Sequence, residues 1–327
     1  MFEIRESDGT PASYAAMADI LLAAAPNHPV SGQDLANENL GLGASHPHYG
    51  WLNWSGDTPT GFFTAAEATW DRSPGRFRVY AAVAPCWQGR GAGRELWNHC
   101  LSVLLARHEV TELTCDTKAD QERGIRFLQD RGFILGKTIQ QSELDVTGYD
   151  PTEKPDRRHS LFAQGIQFLS LDEVSAENPD WFGKYHELCM EFLADLVYPP
   201  APLTLAEHWA EHQRNSAFDP LMTFIAVRNG EWLALTALWQ SAADPTLWWT
   251  SLTGVGRAHR RLGLASALKT TALEAVQHRG GARIRTDTVA GTPMFKINQA
   301  LGFRLLPDAQ TWRRPLCGAA DVREVLR

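Results

Sequence analysis

The sequence lacks any close pair of cysteines. Its five, Cys86, Cys100, Cys115, Cys189 and Cys317, are scattered through 327 residues, and no C-x-x-C occurs. This excludes the usual zinc-ribbon and disulfide-framework patterns, so no metal centre is expected. Isolated thiols in odd number fit a reducing, cytoplasmic setting. An excess of basic charge is also lacking: 31 Lys and Arg stand against 38 Asp and Glu, a formal net charge of −7. A nucleic-acid partner would call for a basic face. No apolar run approaches membrane-spanning length. The first residues, Met1-Phe2-Glu3-Ile4-Arg5-Glu6, carry charge where a signal peptide has an apolar centre. What is present is a chain 44% hydrophobic and 21% charged, long enough for two cores.

The landmarks within it are two short stretches. Gln88-Gly89-Arg90-Gly91-Ala92-Gly93-Arg94 follows the apolar run Phe77–Val83 and opens a helical pattern over 91–108. Arg260-Arg261-Leu262-Gly263-Leu264-Ala265 follows Leu247–Thr253 and opens another over Leu264–His278. Small residues at a strand-to-helix junction allow a ligand to approach the backbone. The first-turn N–H groups of the helix lack intrahelical partners, and the helix dipole adds positive potential. Such a junction binds phosphate. Dinucleotide binding is the rival, but Gly89, Gly91 and Gly93 alternate and do not follow G-x-G-x-x-G spacing.

The order of elements around each stretch repeats. Helices are expected over Ser13–Ala25, Gln121–Arg131, Trp181–Val197, Leu205–Arg214 and Thr292–Ala300 from apolar spacing of three to four. A loop with a short helix is expected over Ser31–His48. Strands are expected over Glu3–Arg5, Trp51–Trp54, Thr60–Trp70, Leu113–Thr117, Ile166–Leu169, Met222–Arg228, Glu231–Gln240 and Ala282–Thr288. Asn229-Gly230 marks a hairpin. Phe133–Val146 and the residues after Gly302-Phe303 supply closing strands. Gln88 and Arg260 are 172 residues apart, Asp116 and Asp287 171, and Phe133 and Phe303 170. Three landmarks in register indicate an internal duplication. The intervening 147–164, polar and proline-containing, reads as a linker between a domain at 1–146 and another at 165–327.

These residues resemble the GNAT superfamily, the GCN5-related acyl-CoA-dependent N-acetyltransferases. The loop pattern Gln/Arg-x-x-Gly-x-Gly/Ala is matched by Gln88, Gly91 and Gly93 and by Arg260, Gly263 and Ala265. Leu128–Phe133 and Asn298–Phe303 match the ending before Gly-Phe. The tandem arrangement is similar to that of mycothiol synthase. The resemblance implies an α/β (α+β) fold of two tandem GNAT domains, each a mixed, mostly antiparallel sheet flanked by helices. It implies acetyl-CoA as cosubstrate and an amine of a small molecule or peptide as acceptor. Residues 88–94 and 260–265 would cradle the pyrophosphate. The backbone near Val83, and near Thr253 and Val255, would pair with the pantetheine where each strand splays from its neighbour.

Acyl transfer to an amine needs proton acceptance at nitrogen and benefits from an acid at the leaving thiolate. Many relatives place a tyrosine five residues before the Phe of Gly-Phe; here Leu128 and Asn298 occupy the two positions. Leucine cannot donate, and an asparagine amide is no proton source. Gln121 and Gly291 stand where relatives have an asparagine. Glu67, Asp116, Asp287 and Asn298 are the polar candidates for the chemistry. The second half, with Asn298 and the doubled arginine, is the better furnished. The competing expectation is a degenerate tandem protein that binds acyl-CoA without transfer.

Overall fold

A computed structural model describes residues 2–26, 30–41, 48–67, 74–107, 110–150, 156–215 and 217–316. The last three residues of the strand expected to reach Trp70, part of the loop expected before His48, and Cys317 lie outside the described residues. The chain divides into two compact units, one of residues 1–138 and 309–327, the other of residues 139–308.

The first unit begins with β1 (Glu3–Glu6), α1 (Pro11–Ala24), α2 (Gly32–Gly41), β2 (His48–Ser55), β3 (Thr58–Glu67) and β4 (Arg76–Val83). It continues with α3 (Ala92–Leu105), β5 (Glu112–Lys118), α4 (Glu122–Gln129) and the start of β6 (Ile134–Asp145). The second unit adds α5 (Arg158–Phe162), β7 (Gln167–Ser170), α6 (Leu171–Ala176), α7 (Trp181–Ala194), α8 (Leu205–Arg214), β8 (Thr223–Arg228) and β9 (Glu231–Gln240). Then come β10 (Leu247–Val255), α9 (Leu264–His278), β11 (Arg283–Thr288), α10 (Pro293–Leu301) and β12 (Arg304–Leu305). The final strand, β13 (Ala309–Pro315), belongs to the first unit.

In the first unit β1, β2, β3 and β4 pair antiparallel in sequence order, β4 pairs parallel with β5, and β5 pairs antiparallel with β13. In the second, β7, β8, β9 and β10 pair antiparallel, β10 pairs parallel with β11, and β11 pairs antiparallel with β6. The closing strands are thus exchanged between the sequence repeats. Phe133–Val146 does not pair with β5; Gln140–Asp145 of that stretch pairs with Thr288–Arg283, and β13 pairs with β5 over Ala309–Pro315. The reason is that β5 and β11 are equivalent edges, and an alternating strand pattern specifies a face but not which edge it joins.

Local sequence accounts for the elements that carry the junctions. Asn229 and Gly230 take φ of 52° and 77°, the type I′ turn that Asn-Gly favours. Thr292 caps α10 through its side chain, with Pro293 in the first turn. Gly302 ends α10 at φ 100°, and Phe303 N–H donates back to Asn298 O at 3.0 Å. Gly132 at φ 73° and the Phe133 N–H donating to Leu128 O, also at 3.0 Å, repeat this ending in the first unit. Both Gly-Phe landmarks are therefore Schellman-type stops. The helix α6 was not expected; Ser170 and Glu173 form a capping box that starts it.

The Ala- and Leu-rich α9 lays Leu264, Leu268, Ala272 and Val276 on the second unit's sheet, where Trp248, Leu233 and Ile284 complete one buried cluster. Each fully buried leucine or isoleucine contributes about 1.5–3 kcal/mol. This packing holds the N-terminus of α9 against the end of β10, and so fixes the second junction.

Candidate functional site

Each junction is built the same way. In the first unit a short 3-10 turn, Pro85–Trp87, precedes extended Gln88; Gly89 then has φ 75° and Gly91, capping α3, φ 95°. In the second, Arg257–His259 precedes extended Arg260, Arg261 has φ 68° and Gly263, capping α9, φ 92°. Left-handed backbone at both positions turns successive N–H groups to one side, a nest for an anion. Among the described residues, none of the backbone N–H groups of 89–94 or 261–266 donates to a protein acceptor. Arg261 adopts the left-handed region without being glycine, which costs about 1–3 kcal/mol and is typical of functional loops.

The first residue of each loop ties it to the preceding strand. Gln88 Nε2 donates to Val83 O at 3.0 Å, and Arg260 Nε donates to Val255 O at 3.2 Å. The sequence offset of 172 is thus a repeated hydrogen bond. Beyond this the two loops differ. Gln88 Oε1 accepts from Arg123 Nη1 at 3.1 Å, and the Arg90 guanidinium lies over the Trp87 ring. Arg260 and Arg257 both engage Asp195, just past α7; the Arg257 Nη2 to Asp195 Oδ1 distance is 2.6 Å. Glu191 Oε1 accepts from Arg257 N–H at 2.7 Å. Hydrogen bonds from Arg257 first, and then Arg260, hold the Asp195 carboxyl down to about 2. Its ionised form therefore favours the folded state at pH above the ordinary aspartate range, and this contribution is lost as pH falls toward 2.

The parallel strand pairs open just before each loop. β4 pairs with β5 only over Arg76–Val79, and β10 with β11 only over Leu247–Trp249. In β10 the register with β9 shifts between Thr250 and Leu252, a bulge that re-aims the strand. The opening beside β10 is a cleft of about 1030 Å³. Thr253, Val255, Arg260, Arg261, Gly263, Leu264 and Ala265 line it, as does Asp287. Leu262 and Asn298 do not. Leu262 is exposed; Asn298 is buried, and neither of its amide atoms has a hydrogen-bond partner among the described residues.

The first unit treats its opening differently. Arg78 Nε lies 3.1 Å from Asp116 Oδ2 where β4 and β5 part, and Thr311 Oγ1 donates to Asp116 Oδ1 at 2.6 Å. Asp287, in the second unit, accepts only from Gln141 Nε2, at 3.1 Å, among the described residues. Glu67 ends β3, opposite Phe77. Cys115 is unsuited to nucleophilic work: burial, then the Asp116 carboxylate, push its thiol up to about 12. Among the described residues no group of three side chains is arranged to hold a metal ion, and no helix is long and apolar enough to cross a membrane.

Several cleft residues were not expected. The helix predicted through Val197 stops at Ala194, and Leu196, Val197 and Tyr198 become an exposed apolar rim. The nearby Pro199-Pro200 limits helix continuation. Arg157 enters from the linker, and a Cβ on Gly263 would come within 2.7 Å of its Cδ. The neighbouring Arg158 anchors that segment, donating to Glu274 at 2.5 and 2.6 Å and to Asp156. Lys269, on the second turn of α9, is 4% exposed and lines the cleft. Its signal in the sequence was a lysine at a position covered by the helix's apolar stripe, beside Leu268 and one turn before Ala272 and Leu273.

A model of the Acetyltransferase (GNAT) family matches residues 14–133 and 185–297. A search of curated proteins finds no match. Among solved structures, a tandem GNAT protein from the clavulanic acid biosynthesis pathway is similar at TM-score 0.75 and 19% identity, covering 96% of this chain and 98% of that one. A GCN5-related N-acetyltransferase from Sphaerobacter thermophilus is similar at TM-score 0.70 and 18% identity, covering 96% and 95%. A putative acetyltransferase from Pyrococcus horikoshii is similar at TM-score 0.55 and 12% identity, covering 96% and 89%. At these identities the likeness is one of fold.

Proposed function

The chain belongs to the acetyltransferase (GNAT) family, and from that premise we propose that its second unit transfers an acetyl group from acetyl-CoA to the amine of a small molecule or peptide. The observation that carries this reading is the run of unpartnered N–H groups at 261–266, five of whose six residues line a cleft beside a splayed strand. The donor set fits a pyrophosphate: backbone N–H groups and a helix N-terminus supply directed hydrogen bonds, and Arg260, Arg261 and Arg157 supply charge. Thr253 and Val255 then offer β10 backbone to the pantetheine on the side that β11 leaves unpaired.

The acceptor enters past the apolar rim of Leu196, Val197 and Tyr198, which favours an amine with an apolar body. Asp287, which also lines the cleft, attracts its ammonium form. The reaction is direct attack: the ammonium gives up one proton to water, the freed nitrogen lone pair adds to the thioester carbonyl carbon, the C–S bond breaks, the nitrogen sheds a second proton to water, and the sulfur takes one from water to leave as CoA thiol. Incubating the full chain with acetyl-CoA and a panel of aliphatic, aromatic and peptide amines tests this by release of free CoA thiol. CoA binding with no release across the panel overturns transfer in favour of acyl-CoA binding alone.

The first unit is better read as a binding unit. Its loop has the same N–H run at 89–94, but the Arg78–Asp116 pair spans the opening between β4 and β5.

Asp195 competes for the arginine that a phosphate would use. Exchanging Asp195 for asparagine is expected to tighten CoA binding to the second unit roughly two- to tenfold at low salt. Calorimetric titration in about 1 M salt should erase most of the difference, because exposed pairs are screened there. Unchanged or weaker binding at low salt would show that Asp195 orients Arg260 and does not compete with the ligand.

A further inference from the structure

Two consecutive arginines in the linker are treated differently. Arg158 is engaged on both sides, by Asp156 and by Glu274 of α9. Arg157 is exposed and lines the cleft, and among the described residues its guanidinium has no hydrogen-bond or ion-pair partner. We propose that Arg157 is a specificity-determining residue of the second unit, binding the ribose 3′-phosphate of CoA. This rests on the reading of that cleft as an acyl-CoA site.

Three observations place the arginine. Its side chain lies on the phosphate loop itself: from the position a Cβ would take on Gly263, Arg157 Cδ is 2.7 Å, Nη1 3.5 Å and Nε 3.7 Å away. Only a glycine at 263 leaves room for the arginine stem there. Its backbone is fixed as well. Arg157 O accepts from Ser160 Oγ at 2.8 Å and from Leu161 N–H at 3.1 Å, and the adjoining Arg158 ties the segment to α9. Finally, no carboxylate has claimed it. Asp156 is taken by Arg158; of the two carboxylates lining the cleft, Asp195 is engaged by Arg257 and Arg260, and Asp287 accepts from Gln141. A guanidinium whose stem is held while its head is left open is preorganised for an anion, since less side-chain freedom is lost on binding.

The chemistry of CoA selects which phosphate it meets. The diphosphate fits the N–H run at 261–266, and the pantetheine leads from there along β10 toward the thioester. The nucleotide must therefore leave the cradle in the other direction, toward solvent. Arg260 is drawn back to Val255 O and Asp195, and Lys269 is enclosed. Arg157 is the exposed cation that lies against Gly263, at the mouth of the cleft. The one phosphate of CoA outside the diphosphate is carried on the ribose at that outer end. It is a monoester with about two negative charges at neutral pH, and an arginine fork matches two of its oxygens.

The test is calorimetric titration with CoA and with dephospho-CoA, which lacks only the 3′-phosphate. It needs no acceptor. Both ligands are titrated into the full chain carrying Gly91→Val, which perturbs the first loop so that the second unit is read, and into the same chain with Arg157→Met added. Methionine keeps an unbranched apolar stem against Gly263. At about 0.1 M salt, CoA should bind roughly tenfold more tightly than dephospho-CoA while Arg157 is present. Arg157→Met should weaken CoA roughly tenfold and leave dephospho-CoA within about twofold, so that the preference disappears. The retained dephospho-CoA affinity also shows that the variant folds. Equal losses for the two ligands would put the arginine on the diphosphate and overturn the assignment, as would no loss for either. CoA affinity indifferent to a valine at Gly263 would instead overturn the cleft as the site, and the arginine's role with it.

Discussion

A valine at Gly263 is expected to weaken CoA binding by the second unit at least about 100-fold, or about 2.7 kcal/mol. Two effects combine. Gly263 holds φ at 92°, where a β-branched residue is strained by about 1–3 kcal/mol. The new Cβ would also stand 2.7 Å from Arg157 Cδ, displacing either the arginine or the loop. Relief of both comes by rotating the junction, and that turns the N–H run away from its ligand. Gly280, at the other end of α9, provides the control: its φ is 74° and nothing lies within 4 Å of a Cβ there. A valine at Gly280 should cost stability but leave calorimetric CoA affinity within about twofold, the scale of indirect effects at distant sites. Equal losses of affinity in the two variants would mean that general destabilisation, and not the cradle, governs binding.

The second large effect concerns the strand that presents the cleft. Trp248 is 2% exposed at the centre of the second unit's core and pairs with Gln240 on one side and Ile284 on the other. Its ring also lies against the turn after α9, since a Cβ on Gly281 would come within 2.8 Å of its indole. Truncation to alanine should cost about 3–5 kcal/mol. In a unit of this size that lowers the melting temperature by roughly 6–20 °C. Phenylalanine should be much milder, because it keeps most of the ring and removes an indole N–H that has no partner among the described residues. Scanning calorimetry of the two variants distinguishes the causes. A phenylalanine variant as unstable as the alanine one would show that the indole N–H is satisfied in solution and that its bond, not the volume, matters.

The legible part of this molecule was whatever depends on local chemistry. Gly91 and Gly263 marked two strand-to-helix junctions, to which the structure adds the left-handed backbone. Asn229-Gly230 revealed a hairpin, and Gly132 revealed a helix stop. The repeat offset of 172 linked Gln88 with Arg260 before any hydrogen bond was known, and the structure gives that link a physical form in the bonds to Val83 O and Val255 O. What stayed hidden depends on choices the sequence leaves open. β6 and β13 have equally plausible partners in β5 and β11, so their exchange had no local signature. Arg157 lies in a polar, aperiodic stretch, where periodicity gives no face. Lys269 was hidden in an otherwise apolar helix, and only its burial beside the cleft distinguishes it from a surface lysine. Asn298 is the converse case: its position in the sequence made it a candidate for the chemistry, and the structure encloses its side chain away from the cleft lining.

The most direct test compares two single variants of the full chain, Gly91→Val and Gly263→Val, for the rate of CoA thiol release from acetyl-CoA with an amine acceptor that the parent uses. Gly91 has φ 95° and only the end of Arg94, at 3.9 Å, near a Cβ, so its variant puts the same backbone strain into the other loop without the clash. Release should survive in Gly91→Val and be lost in Gly263→Val. Release that survives in Gly263→Val and is lost in Gly91→Val would contradict this expectation, and would place the chemistry in the first unit.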